Sequence, residues 1–157
     1  MKVIIYKNDD GGMSVIYPVY QPEWGKIEQD EFLLFVQNKD VPKMIDSSTR
    51  KSWLIEIEET LKLRYLRNAW KVDDNGQIFF DRSKGEELKK EQFRNLRKPL
   101  LEKLDIQFMR ALEVGDISTI QIVTQKKSEL RDITSVDFNS YDTPQKLHEF
   151  IPDLLKT

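Results

Sequence analysis

Cysteine is missing from this sequence, and histidine occurs once, at position 148. The first absence excludes disulfides, thiolate metal sites and a cysteine nucleophile. The second leaves little for hydrolytic chemistry, since a serine or threonine nucleophile needs a base and an orienting acid. No G-x-S-x-G string is present, and His148, between Leu147 and Glu149, reads as a helix-surface histidine. Glycine is sparse, six residues in all, and forms no phosphate-cradling loop; Asp10-Gly11-Gly12 reads as a turn. The Asp9-Asp10 and Asp73-Asp74 pairs also sit beside glycine in turns, without the alternating carboxylates of a calcium loop. The 27 acidic residues nominate no acid–base pair. The expectation is a non-enzymatic chain with no cofactor and no metal.

Long apolar runs are lacking too. Nothing approaches the roughly 20 apolar residues that span a bilayer, and the segment after Met1, KVIIYK, is too short for a signal-peptide core. A soluble protein without membrane association is expected. A net charge of −2 gives no overall field to attract nucleic acid. Hydrophobic residues make up 39%, and three Trp, five Tyr and eight Phe are too many for a disordered polar chain.

What is present points to an α+β fold. Residues 2–7 and 13–17 are β-branched and aromatic, and Asn8-Asp9-Asp10-Gly11-Gly12 between them predicts a β-hairpin. Pro18 and Pro22 end its second strand. Residues 29–38 predict a short helix, with Phe32, Phe35 and Val36 on one face and acids at its start. Residues 43–46 suggest a third strand, and 46–49 a loop. The stretch 53–72 mixes periods: Trp53, Ile55 and Ile57 alternate, whereas Leu61, Tyr65 and Ala69 recur at helical spacing. A strand or loop running into a short helix is expected there, then a strand at 77–81 after the Asp73–Gly76 turn.

From Ser83 the pattern becomes helical. Ser83 with Glu86 suggests a capping box, and Leu88, Phe93, Leu96, Leu100, Leu104, Phe108, Ala111 and Leu112 follow mostly in steps of three or four. Pro99 predicts a kink or break near Arg97-Lys98. Gly115 should end this helix and Asp116 cap the next, which carries Ile117, Ile120, Val123 and Leu130. The result is an antiparallel helical hairpin. Thr143-Pro144 starts a short terminal helix with Leu147, Phe150 and Leu154 inward. The expected organisation is a small α+β domain over 1–82, the hairpin over 83–133, and a tail with a short helix over 134–157.

Charge is uneven along the chain. Residues 1–60 carry a net −4, residues 61–131 a net +5 and residues 132–157 a net −3. In the basic middle, Lys62, Arg64, Arg67 and Lys71 interleave with Tyr65 and Trp70, and Arg94, Arg97 and Lys98 form a second cluster. Such surfaces bind phosphates and stack on bases. The simpler reading, favoured here, buries Tyr65, Leu66 and Trp70 and leaves the cations on a salt-bridged face. The apolar stripe of the hairpin likewise serves internal packing or, through exposed ends of Phe93 and Phe108, a partner or oligomer contact.

Residues 2–18 (KVIIYKNDDGGMSVIYP), Arg67-Asn68-Ala69-Trp70 and Leu130-Arg131-Asp132-Ile133 resemble small proteins encoded among tailed-phage structural genes. Leu101-x-x-Leu104-Asp105 and Thr143-Pro144 look like the C-terminal region of tail-assembly-chaperone-type proteins. These segments cover about half the chain; residues 52–64 read as an insertion, and Pro99 departs from the pattern. The resemblance implies a non-enzymatic protein of the host cytoplasm or virion. It would act in tail assembly or as a minor virion component, binding a tail or other virion protein. Trp53, Trp70, Phe93 and Phe108 are its implied contacts, and Arg67, Arg131 and Asp132 its orienting charges; Arg97 of the second basic cluster joins them as a partner-binding candidate. A phage-encoded inhibitor of a host anti-phage defence protein is the alternative, and a nucleic-acid module using residues 61–98 ranks third.

Overall fold

A computed structural model of the chain describes residues 2–19, 28–42 and 50–156. The third strand and loop expected over 43–49, and Pro22, lie outside the described residues. The fold is α+β, and the chain divides into two compact units, Met1–Lys84 and Gly85–Thr157.

The first unit is built on a three-stranded antiparallel sheet of order β2-β1-β3, from β1 (Lys2–Lys7), β2 (Met13–Ile16) and β3 (Ser52–Glu56). The β1–β2 hairpin forms where the turn residues demand it. Gly11 takes a positive φ of 79°, and Asp10 Oδ1 accepts from the Gly12 amide at 2.9 Å. Register pairs Ile4 with Ile16 and Leu54, and Ile5 with Val15 and Trp53. Side chains alternate across a strand, so the two faces carry different sets. Ile4, Tyr6 and Ile16 pack with Phe32, Val36 and Val41 of and after α1 (Gln29–Asp40). The inward residues of α1 are Leu33 and Val36; Phe35, expected on that face, is 56% exposed under the Lys39 ammonium.

The opposite sheet face meets the stretch whose periodicity was mixed. It folds as 3-10 turns (Ile57–Arg64 and Arg67–Ala69), followed by a strand that periodicity did not announce, β4 (Trp70–Val72). β4 pairs antiparallel with β5 (Ile78–Phe80). Asp73 Oδ1 accepts the amides of Asn75 and Gln77, and Gly76 turns the chain at φ 86°. That glycine fits under Trp53: a Cβ there would lie 2.5 Å from the indole Cδ1.

The helix α2 (Arg82–Val114) runs unbroken through Pro99, so of the kink or break expected near Arg97-Lys98 the break is absent. The carbonyl that loses its donor belongs to Asn95, which is exposed, so solvent can satisfy it. The N-cap is Asp81 rather than Ser83: Asp81 Oδ1 accepts the Lys84 amide at 3.0 Å.

In the second unit α2 returns as α3 (Ile117–Asp132) through Gly115, whose φ is 72°. Asp116 caps α3 by accepting from Thr119, which holds its carboxyl below the usual range through the Thr119 hydroxyl first and the Thr119 amide second. Thr143 caps α4 (Pro144–Glu149), with Pro144 in its first turn. Phe93, Phe138, Leu147 and Leu155 are buried, and Phe150 packs edge-on to Phe93 and Phe138. Leu154, expected inward, is 40% exposed; Leu155 takes its place.

Candidate functional site

Two surfaces stand out, one in each unit. Along the hairpin, Ala111 of α2 and Val123 and Leu130 of α3 are buried, and Arg97 of α2 reaches the carbonyls of Leu130 and Arg131. Lys127 reaches across to Asp105 at 2.5 Å, its ammonium 5.2 Å from the Phe108 ring centre. Toward the turn this packing runs out. Ile106, Met109, Leu112 and Val114 on α2, and Ile117 and Ile122 on α3, are all more than half exposed, Val114 reaching 78%. The buried or half-buried residues 93, 104, 108 and 111 share one side of α2, whereas Ile106 and Met109 lie on the opposite side of the helical wheel. Leu112 and Ile117, counted above with the packing stripe, are 54% and 68% exposed.

The second surface is a cavity of about 160 Å³ in the first unit. Met13, Val15 and Tyr17, alternate residues on one side of β2 and its continuation, form one wall; Thr60 and Leu63 form another; Arg64 and Arg67 stand at the rim. Between the two arginines Leu66 adopts a left-handed φ of 50°, a costly conformation for leucine. It turns the chain between the 3-10 segments so that both guanidinium groups border one opening.

The residues singled out from sequence are not gathered into one site. Trp70 is 5% exposed; its Nε1 donates to the Tyr65 carbonyl at 2.8 Å, and Phe80 packs against its edge. Phe93 is fully buried among Phe138 and Phe150, so the exposed end expected of it does not exist. Both are core. Trp53 is half-buried over Gly76, and Phe108 is half-buried beneath Lys127. Arg97 donates to the carbonyls of Leu130 and Arg131, capping the end of α3, where the helix dipole favours a cation. Arg131 and Asp132 are exposed there. Among these candidates Arg67 borders the first-unit cavity, and Arg97 borders an open depression with Arg94, Lys98, Leu101 and Glu102. In the basic–aromatic stretch, Lys62 lies over Trp70 and Arg64 over Tyr65, so the chain's own cations cover those rings.

Two buried cations escaped the sequence reading. Lys89 is fully buried, donating to Gln92 Oε1 and the His148 carbonyl, and burial pushes its pKa down to about 8. Arg50 is 8% exposed and bonds the carbonyls of Lys7 and Pro42 and the carboxylate of Asp9. Every polar atom near either ammonium or guanidinium is a structural acceptor, so both read as internal ties. Among the described residues no three His, Asp or Glu side chains gather as metal ligands, and no helix is long and apolar enough to cross a membrane.

No family model, curated protein or solved structure matches this chain.

Proposed function

We propose that the chain is a non-enzymatic phage protein that works by protein–protein contact in tail assembly or as a minor virion component, with the hairpin turn as its contact surface. The observation that supports this reading is the gathering of six exposed large apolar side chains within residues 106–122, on a hairpin whose helices are tied below them by Lys127 on Asp105 and by Arg97 on the end of α3. Exposed apolar groups concentrated on one feature lower their free energy by covering themselves with a partner. Arg110, Glu113 and Asp116 interrupt the patch, giving it a polar border like the rim of a protein interface. The phage assignment rests on the sequence resemblance alone.

Co-expression with the tail-tube and tape-measure proteins of a phage carrying this chain tests the reading. The complex should form with the native chain and be lost in Met109→Glu/Ile117→Glu, whose circular dichroism should match the native protein. Binding that survives both substitutions removes the hairpin turn as the surface. A stable complex with a host defence protein, in place of the tail proteins, replaces the assembly role by inhibition.

A further inference from the structure

The cavity of the first unit lies in a different part of the chain from the hairpin turn. Its floor and walls are apolar: the Met13 and Val15 side chains, the Tyr17 ring and the Leu63 side chain. At about 160 Å³ it is close to the size of an apolar cavity that accepts benzene, about 150 Å³. Its rim is cationic, with two guanidinium groups and no acidic residue among the seven lining side chains.

The state of the rim groups decides the ligand. Arg64 donates to the Tyr65 hydroxyl at 2.7 Å and lies 4.8 Å from that ring's centre, which fixes its plane and leaves other N–H groups free. Arg67 is exposed, and its side chain forms no hydrogen bond or ion pair with any described residue. Thr60 already donates its hydroxyl proton to the Ile57 carbonyl at 2.6 Å, which leaves the Tyr17 hydroxyl as the side-chain O–H on the cavity wall. A phosphate needs many donors and stays hydrated without them. A carboxylate needs only the paired N–H groups of a guanidinium, which match it in a plane. The geometry points to a binding site for an apolar carboxylate, a leucine- or phenyl-sized body seated between Val15 and Leu63 with its carboxylate held by Arg64 and Arg67. Such a group comes either from a free small acid or from the C-terminus of a peptide ending in an apolar residue.

Methyl NMR of the full chain, following Met13, Val15 and Leu63, tests this with 3-phenylpropionate as the small acid and acetyl-Gly-Gly-Phe as the peptide end. Saturable shifts at these methyls with either probe support the site, and the probe that binds about tenfold tighter names the source. The uncharged 3-phenylpropionamide should bind at least about tenfold more weakly than the acid. Arg64→Met/Arg67→Met should lose acid binding while leaving remote methyls unmoved. Val15→Phe, which fills the cavity, should lose it with both arginines in place. The inference is overturned if neither probe shifts the methyls at about 10 mM, if the amide binds as well as the acid, or if the double arginine variant binds undiminished.

Discussion

The ammonium group of Lys89 donates to the main-chain carbonyl of His148, tying the first part of α2 to the end of α4. A buried cation at this point satisfies a carbonyl that the helix end would leave without an amide partner. Its cost is desolvation, which lowers the Lys89 pKa from 10.5 to about 8.

That cost predicts an unusual pH dependence. Between about pH 8 and the unfolded value near 10.5, the unfolded chain binds more protons than the folded one, so stability rises with pH. Below about 8 both states are protonated and the penalty is present in full. The rise should amount to at most about 3 kcal/mol. Urea unfolding followed by circular dichroism at pH 7.5 and 10 should show this gain over Lys89→Met, whose own pH response cancels the other lysines and tyrosines. Parallel pH profiles for the two proteins would refute the burial of a charged Lys89.

Gly76 and Gly115 have nearly the same φ, 86° and 72°, but different surroundings. A Cβ at Gly76 would strike the Trp53 indole, whereas one at Gly115 meets nothing within 4 Å. Gly115→Ala should therefore cost only the left-handed conformation, about 1–2 kcal/mol. Gly76→Ala adds overpacking and should cost about 1–3 kcal/mol more. Tryptophan fluorescence suits the second variant, because all three tryptophans fall in the first unit. Gly76→Ala/Trp53→Leu should recover part of the loss; equal costs at the two glycines would mean that the indole does not rest on the turn.

Arg97, a partner-binding candidate, also closes α3, so its removal should act on stability. Arg97→Ala leaves the Leu130 and Arg131 carbonyls to solvent and should cost about 1–2 kcal/mol. Hydrogen exchange in the last turn of α3 should quicken more than in its first turn, which Asp116 caps. Arg97→Lys keeps the charge and should recover about half. An unchanged exchange pattern would return Arg97 to the surface roles first assigned to it.

The legible parts of this fold are those written in local chemistry. Asn8–Gly12, Asp73–Gly76, Gly115-Asp116 and Thr143-Pro144 each specify a backbone geometry over a few residues, and each turn or cap forms at its place. Periodicity was less informative where an element is short or packs on both sides. β4 has three residues, two of them buried, and is held by pairing with β5, so no alternation could announce it. Phe35 and Leu33 stand two positions apart, and only the position of the sheet decides which turns inward. The candidate surfaces were the least legible. An apolar residue that packs and one that is left exposed look alike in sequence, which is why Phe93 was assigned to a surface while Met109 passed unnoticed. The arginines of the cavity stand out by charge, but only the fold of 57–69 brings them beside Met13 and Val15.

Arg50 joins three points of the first unit that lie far apart in sequence: the Lys7 carbonyl at the end of β1, the Asp9 carboxylate in the hairpin turn, and the Pro42 carbonyl beyond α1. The Tyr6 ring, 5.9 Å away, borders it. Arg50 itself is 8% exposed, whereas Asp9 and Pro42 are exposed, so removing the guanidinium hands those acceptors to water and leaves the half-buried Lys7 carbonyl without its partner. Arg50→Met should cost about 1–3 kcal/mol, the range for losing hydrogen bonds to a charged group. Arg50→Lys should restore little, because a single ammonium lacks the planar fork that addresses three separated acceptors. Asp9→Asn, which keeps an acceptor oxygen on a largely exposed side chain, should cost no more than about 1 kcal/mol. The contrast between Arg50→Lys and Asp9→Asn separates geometry from charge. If Arg50→Lys unfolds at the native urea concentration, a diffuse attraction holds this corner and the three-way bond does not.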